Sequence, residues 1–133
     1  MTLEPRWLTL KGIVTTQVEI IAVSGGASGI LDEGALESTL NKPRQLHYYG
    51  ENVTLCRLAA AYGYGFVQNH CFVDGNKRIA LVAAGMFMVL NGTELIAFEA
   101  AAATFFLDLA ASSDDQETSM QRLADWLANN STH

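Results

Sequence analysis

An all-α fold, a bundle of about six helices, is what this sequence predicts, and three observations carry the expectation. Apolar residues recur at helical spacing in segment after segment. The longest apolar run, Ile79 to Leu90, is twelve residues and apolar nearly all round, as in a central bundle helix. Outside the polar stretch Asn41 to Asn52, only Glu94 to Ala97 has a strand-like pattern. A chain of 133 residues is long enough to bury roughly two-thirds of its unfolded surface without disulfides or metals, so one domain over residues 1–133 is expected.

The first helix is predicted over Thr9 to Val23, where Leu10, Ile13, Val14, Ile20 and Ile21 keep roughly helical spacing up to Ser24-Gly25-Gly26. Asp32 is a good N-cap for Glu33 to Leu40, with Leu36, Thr39 and Leu40 on one face and Pro43 expected to end the element. Asn41 to Asn52, with Pro43, Gly50 and the triplet His47-Tyr48-Tyr49, reads as a short extended flap. Tyr48 and Tyr49 are either flap packing or exposed aromatics that meet a partner. Val53 to Gln68 lines up Leu55, Leu58, Ala59, Tyr62 and Phe66, and its small Ala and Gly residues admit a close helix neighbour. It delivers the chain to His70. Ile79 to Leu90 is too short for a bilayer and closes at Asn91-Gly92. Phe98 to Ala111 follows. Ser112-Ser113-Asp114 is read as the cap of a last helix, Asp115 to Asn129, which turns Met120, Leu123, Trp126 and Leu127 inward.

Composition excludes several classes. The formal net charge is −6 and the eight Lys and Arg residues are scattered, which argues against nucleic-acid binding, since a phosphate backbone needs clustered cations. Cys56 and Cys71 form no CxxC pair, and Glu4, Pro5 and Arg6 precede no apolar signal region. Reduced thiols and a cytoplasmic location are therefore expected, with no membrane association. There is no solenoid-period repeat.

The chemistry concentrates in His70-Cys71-Phe72-Val73-Asp74-Gly75-Asn76-Lys77-Arg78. Asp74-Gly75-Asn76 is a turn signal directly before a buried helix, so backbone N–H groups at that helix N-terminus point outward, and Lys77 and Arg78 reinforce the positive end. That is a site for anionic oxygens. Arg78 is suited to grip phosphate bidentately, and Lys77 adds a point charge or excludes one nucleotide pose by bulk; the bland alternative for the pair is a solvated face. Asn76 either donates to a phosphate oxygen or supports the turn. Gly75 serves a positive φ or close approach of phosphate. Asp74 is a candidate Mg²⁺ ligand, because Mg²⁺ takes one or two carboxylates plus phosphate oxygens; alternatively it caps the following helix. His70 is a candidate general base for a hydroxyl attacking phosphorus, against the commoner role of structural hydrogen-bonder. Phe72 is read as an inward anchor.

Other chemistries fail on spacing. Cys71 beside His70 has no third group to orient a nucleophile pair, and His70 with Asp74 is too poor in donors for zinc, with His47 and His133 in unrelated segments. Gly63-Tyr64-Gly65 lacks the strand and third glycine of a dinucleotide fingerprint, and Gly75-Asn76-Lys77 lacks the rest of a P-loop.

The segment closely resembles the Fic/Doc signature HxFx(D/N)GNxR, with every fixed position present from His70 to Arg78. Gly25-Gly26, Gly29 to Leu40 and Lys42-Pro43-Arg44-Gln45 resemble that family's second helix with its entry turn and the start of its target-docking flap. The resemblance implies a compact Fic-type helical bundle using ATP and Mg²⁺, with His70 catalytic, Asp74 on the metal, and Gly75, Asn76, Lys77 and Arg78 on the nucleotide. Most Fic enzymes read GNGR and transfer AMP to a protein hydroxyl; Doc toxins carry Lys in place of the second Gly, as Lys77 does here. Doc-type toxins are protein kinases that phosphorylate a threonine of elongation factor Tu and block translation, so that function is the leading expectation. Gly75 departs from the Doc prototype, which has Ala there. Transfer of AMP is the alternative within the family, and a non-catalytic interaction domain the alternative outside it. The inhibitory pattern (S/T)xxxE(G/N) is missed narrowly at Thr15/Glu19-Ile20, Gly29/Glu33-Gly34 and His47/Glu51-Asn52. Restraint in trans is thus expected, from a Phd-type antitoxin whose C-terminal helix enters an apolar groove.

Overall fold

A computed structural model describes residues 4–132, so His133 lies outside the described residues. Six helices follow one another along them: α1 (Leu10–Ser24), α2 (Glu33–Tyr49), α3 (Leu55–Gln68), α4 (Asn76–Leu90), α5 (Glu99–Ala111) and α6 (Gln116–Asn129). The all-α expectation holds. Strand pairing among the described residues reduces to two isolated antiparallel bridges, Ile30 with Phe72 and Leu95 with Ser131. The second is all that the strand-like pattern at Glu94 to Ala97 yields.

Helix starts follow side-chain chemistry. Thr9, Asp32, Thr54 and Asp115 each accept a backbone N–H of the first turn of α1, α2, α3 and α6, satisfying one of the donors a helix start leaves orphaned. Asp115 takes the position expected of Ser112-Ser113-Asp114. It accepts Thr118 N–H at 2.7 Å, while Ser112 Oγ instead accepts Asp114 N–H.

The extended flap is corrected: α2 runs through Pro43 to Tyr49, so Lys42 to Gln45 is helix interior and only a short stretch after Gly50 remains irregular. A proline inside a helix costs ~3 kcal/mol, because it forfeits one backbone bond and crowds the carbonyl four residues earlier. Tertiary contacts offset that. Pro43 is itself buried, Leu46 packs on the core, and Arg44 lies over the Trp7 ring at 5.6 Å. His47 meets Trp7 edge-on at 5.5 Å, and Tyr48 donates to Glu4. Tyr49 stays exposed.

One apolar core draws on all six helices, with α3 and α4 at its centre. Tyr62, Phe66, Phe72, Phe87 and Phe106 are its largest fully buried side chains. The close approach expected of α3 is real. A Cβ on Gly63 would stand 3.0 Å from Leu123 and 3.3 Å from Phe106, and one on Gly65 only 2.8 Å from Thr39. No helix among the described residues is long and apolar enough to cross a membrane.

Candidate functional site

Two chain segments meet between α3 and α4. The loop after α3 lies antiparallel to the connection between α1 and α2: Leu31 N–H and Asp32 N–H both donate to Cys71 C=O (2.9 and 3.2 Å), and Val73 N–H donates to Gly29 C=O (3.0 Å). These bonds flank the Ile30–Phe72 bridge, leaving the N–H and C=O of Phe72 facing the other way. Asn76 takes both. Its Oδ1 accepts Phe72 N–H at 3.0 Å and its Nδ2 donates to Phe72 C=O at 2.9 Å, so its carboxamide stands where a further strand's peptide group would. Of the two roles expected for Asn76, turn support is the one the geometry displays. The Phe72 ring is fully buried and stacks on Phe66 at 6.4 Å, as an inward anchor should.

Gly75 sits at φ +79 as the N-cap of α4, in the left-handed region glycine adopts without strain. It offers no capping side chain. The first backbone bond into α4 is Ile79 N–H to Gly75 C=O (2.8 Å), so the N–H groups of Asn76, Lys77 and Arg78 have no backbone acceptor among the described residues. Lys77 and Arg78 are exposed and form neither ion pairs nor side-chain hydrogen bonds there. Orphan donors, the positive helix end and two unpaired cations gather at one corner whose chemistry suits an anion.

Asp74 corrects the capping alternative. Its carboxylate does not bond the first turn of α4; Oδ2 instead accepts Ala27 N–H at 2.7 Å, from the connection between α1 and α2. Gly26 permits the approach, since a Cβ there would lie 3.1–3.3 Å from the Asp74 side chain. Oδ1 has no protein partner among the described residues. One free carboxylate oxygen beside an anion corner suits Mg²⁺, which completes its shell with phosphate oxygens and water. No group of three or more His, Cys, Asp or Glu side chains suited to a dedicated metal cage exists among the described residues.

His70 is exposed and follows Asn69, whose side chain donates to Thr39 Oγ1 at 2.8 Å. Its backbone lies at φ +48, a left-handed conformation that is uncommon outside glycine and costs on the order of 1–2 kcal/mol. Strain of this kind gathers at working sites. Cys71 points the other way. Its thiol is buried 3.4 Å from Thr39 Oγ1, and burial pushes its pKa up, which removes the thiolate a nucleophile needs.

Lys77 and Arg78 also line a cleft of about 510 Å³ between α1, α4 and α5, walled by Ile20, Leu81, Ala103 and Leu107. His70 and Asp74 are not part of its lining. Glu19, from one of the three near-miss inhibitory patterns, does line it, without pairing within 4 Å to either cation.

Gln17 escapes sequence reasoning. It is 1% exposed, its Nε2 donates to Asp74 C=O at 3.1 Å, and its Oε1 accepts Gly29 N–H at 3.3 Å. The readable signal is a polar residue midway between Ile13 and Ile21, four residues from each on the buried face of α1.

Residues 7–88, which hold α1 to α3, the whole loop and all but the last two residues of α4, match the Fic/DOC family. The chain is 39% identical over 75 residues to "Toxin Doc" of Mycolicibacterium smegmatis, covering 55% of this chain and 57% of that protein. It is 32% identical over 71 residues to "Protein kinase doc" of Escherichia phage P1, covering 53% and 56%. The chain thus spans about half the length of these curated relatives. A complete His70–Arg78 signature, folded as a strand-paired loop that runs into a helix N-terminus, agrees with the family match over more than half of the sequence: the chain belongs to the Fic/Doc family.

Proposed function

We propose that the protein is a Doc-type toxin, a single domain that transfers the γ-phosphoryl group of ATP to a threonine hydroxyl of elongation factor Tu. The observation that carries the reading is the pair of unpaired cations, Lys77 and Arg78, on the first turn of α4 beside the free oxygen of Asp74. Phosphoryl transfer requires positioning and charge stabilisation more than covalent help from the protein. Gly75, the backbone N–H groups of Asn76 to Arg78 and the Arg78 guanidinium would hold the phosphates. Asp74 would hold Mg²⁺, which when bound neutralises charge on the phosphate oxygens. His70 would take the proton of the attacking hydroxyl as its oxygen bonds the γ-phosphorus and the bond to the β–γ bridging oxygen breaks, releasing ADP. Lys77 supports γ-phosphoryl over AMP transfer, because its side chain occupies space that a glycine leaves open. The name of the phage relative, a protein kinase, supports the same choice.

Restraint would come in trans, from an antitoxin of Phd type whose helix docks in an apolar groove. The cleft between α1, α4 and α5 supports this, being apolar along Ile20, Leu81 and Leu107 and open at the cationic corner. A cytoplasmic location follows from a translation-factor target. Intact-mass measurement of elongation factor Tu after incubation with the protein, Mg²⁺ and ATP tests the reading: the gain of one phosphoryl group is expected. The gain of one AMP would instead select the alternative activity, and an unmodified factor would remove the target.

A further inference from the structure

We propose that Gln17 is a positioning residue that presets the Asp74 carboxylate, keeping Oδ2 on Ala27 N–H and leaving Oδ1 to a divalent cation. The inference rests on the reading of Asp74 as a metal ligand. Its basis is a closed set of contacts. Gln17 is buried on the core face of α1 and uses both ends of its carboxamide on two different loops, the Asp74 carbonyl on one side and the Gly29 N–H on the other. Asp74 is then held at both ends: its backbone by Gln17 Nε2 and its side chain by Ala27 N–H. The loop that supplies Ala27 is pinned by Gly29, which bonds Gln17 through its N–H and Val73 through its C=O.

A carboxylate with one oxygen already engaged offers the other in a single direction, which matches the monodentate oxygen ligation a strictly octahedral Mg²⁺ requires. Outer-shell hydrogen bonds that orient a ligand in this way typically govern metal affinity by about 10- to 100-fold. Gly26 completes the arrangement, since a Cβ there would press on the Asp74 carboxylate at 3.1–3.3 Å.

The test is titration of the full-length protein with Mn²⁺ in the presence of ATP, followed by electron paramagnetic resonance. Gln17→Met preserves side-chain length and burial while removing both hydrogen bonds; its Mn²⁺ midpoint should rise at least about 10-fold. Amide exchange should quicken at Ala27 and Gly29, and kcat at saturating metal should stay near the parental value. Should Gln17→Met not fold, Gln17→Glu keeps the acceptor for Gly29 N–H, removes the donor to Asp74 C=O and carries the same expectation for the midpoint. An unshifted midpoint in the folded variant overturns the proposal, as does a fall in kcat at saturating metal with the midpoint unchanged, which is the mark of a merely structural residue. Wild-type protein that binds Mn²⁺ and ATP but modifies no protein would sink the kinase reading and leave the role of Gln17 to the titration.

Discussion

Replacing Asn76 by alanine probes the geometry of the loop more sharply than any other single change. The carboxamide holds the N–H and the C=O of Phe72 at 3.0 and 2.9 Å, in a half-buried position between the Ile30 pairing and the first turn of α4. Truncation leaves one donor and one acceptor without a partner, at about 1–3 kcal/mol each where water does not reach them. Partial access to water favours the lower half of that range, so Asn76→Ala should lose roughly 2–4 kcal/mol. Urea unfolding should show a lower midpoint with an unchanged slope, because the surface exposed on unfolding is the same. Asn76→Asp separates the two bonds: it keeps an acceptor for Phe72 N–H but turns a second oxygen toward Phe72 C=O. It also places a negative charge in the anion corner, so it should abolish nucleotide binding outright. If Asn76→Ala unfolds within about 0.5 kcal/mol of the parent, the clasp does not hold the loop and its stabilising role is refuted.

Further outcomes follow from the same geometry. His70→Ala should abolish transfer and leave the unfolding midpoint nearly unchanged, since an exposed side chain without partners contributes little packing; equal toxicity of variant and parent on expression would remove His70 from the mechanism. Asp74→Ala should lower activity in a manner that excess Mg²⁺ partly restores, whereas a loss indifferent to metal would leave Asp74 only as a loop tie to Ala27. Gly65→Ala should destabilise by about 1–3 kcal/mol, because its Cβ would meet Thr39 at 2.8 Å, read as a lowered melting temperature. The buried Cys71 thiol keeps its proton to higher pH than the unfolded chain does, so its contribution is full below the ordinary value of 9.0 and is lost as pH rises beyond it. Cys71→Ala should flatten that alkaline decline in stability; an unchanged slope would place the titration elsewhere.

Much of the fold is legible because local chemistry and the final structure agree. Asp32 before a helical pattern caps α2, the apolar run to Leu90 is α4, and the small residues of α3 sit where other helices press closest. The flap misled because proline and aromatic residues at 41–52 signal a break locally, while contacts to Trp7 and Glu4, some forty residues earlier, keep the helix intact. At the site, the signature from His70 to Arg78 fixes which residues gather, since its members are neighbours in sequence. Its supports are distant. Ala27 and Gln17 lie 47 and 57 residues before Asp74; a polar Gln17 on the apolar face of α1 signals its burial, but nothing local says which loops it ties. The left-handed backbone of His70 is likewise imposed by the pairing around it rather than by its own preference.

The measurement that bears most directly on the proposed activity is label transfer from ATP to elongation factor Tu, run in parallel with γ- and α-labelled nucleotide. Wild-type protein should label the factor from γ-labelled ATP alone, and Lys77→Gly should lose most of that label, since a displacement of about 1 Å in the reacting group can cost on the order of 10²-fold. Label arriving from α-labelled ATP would contradict the kinase assignment and make the protein an AMP transferase acting through the same His70, Asp74 and Arg78.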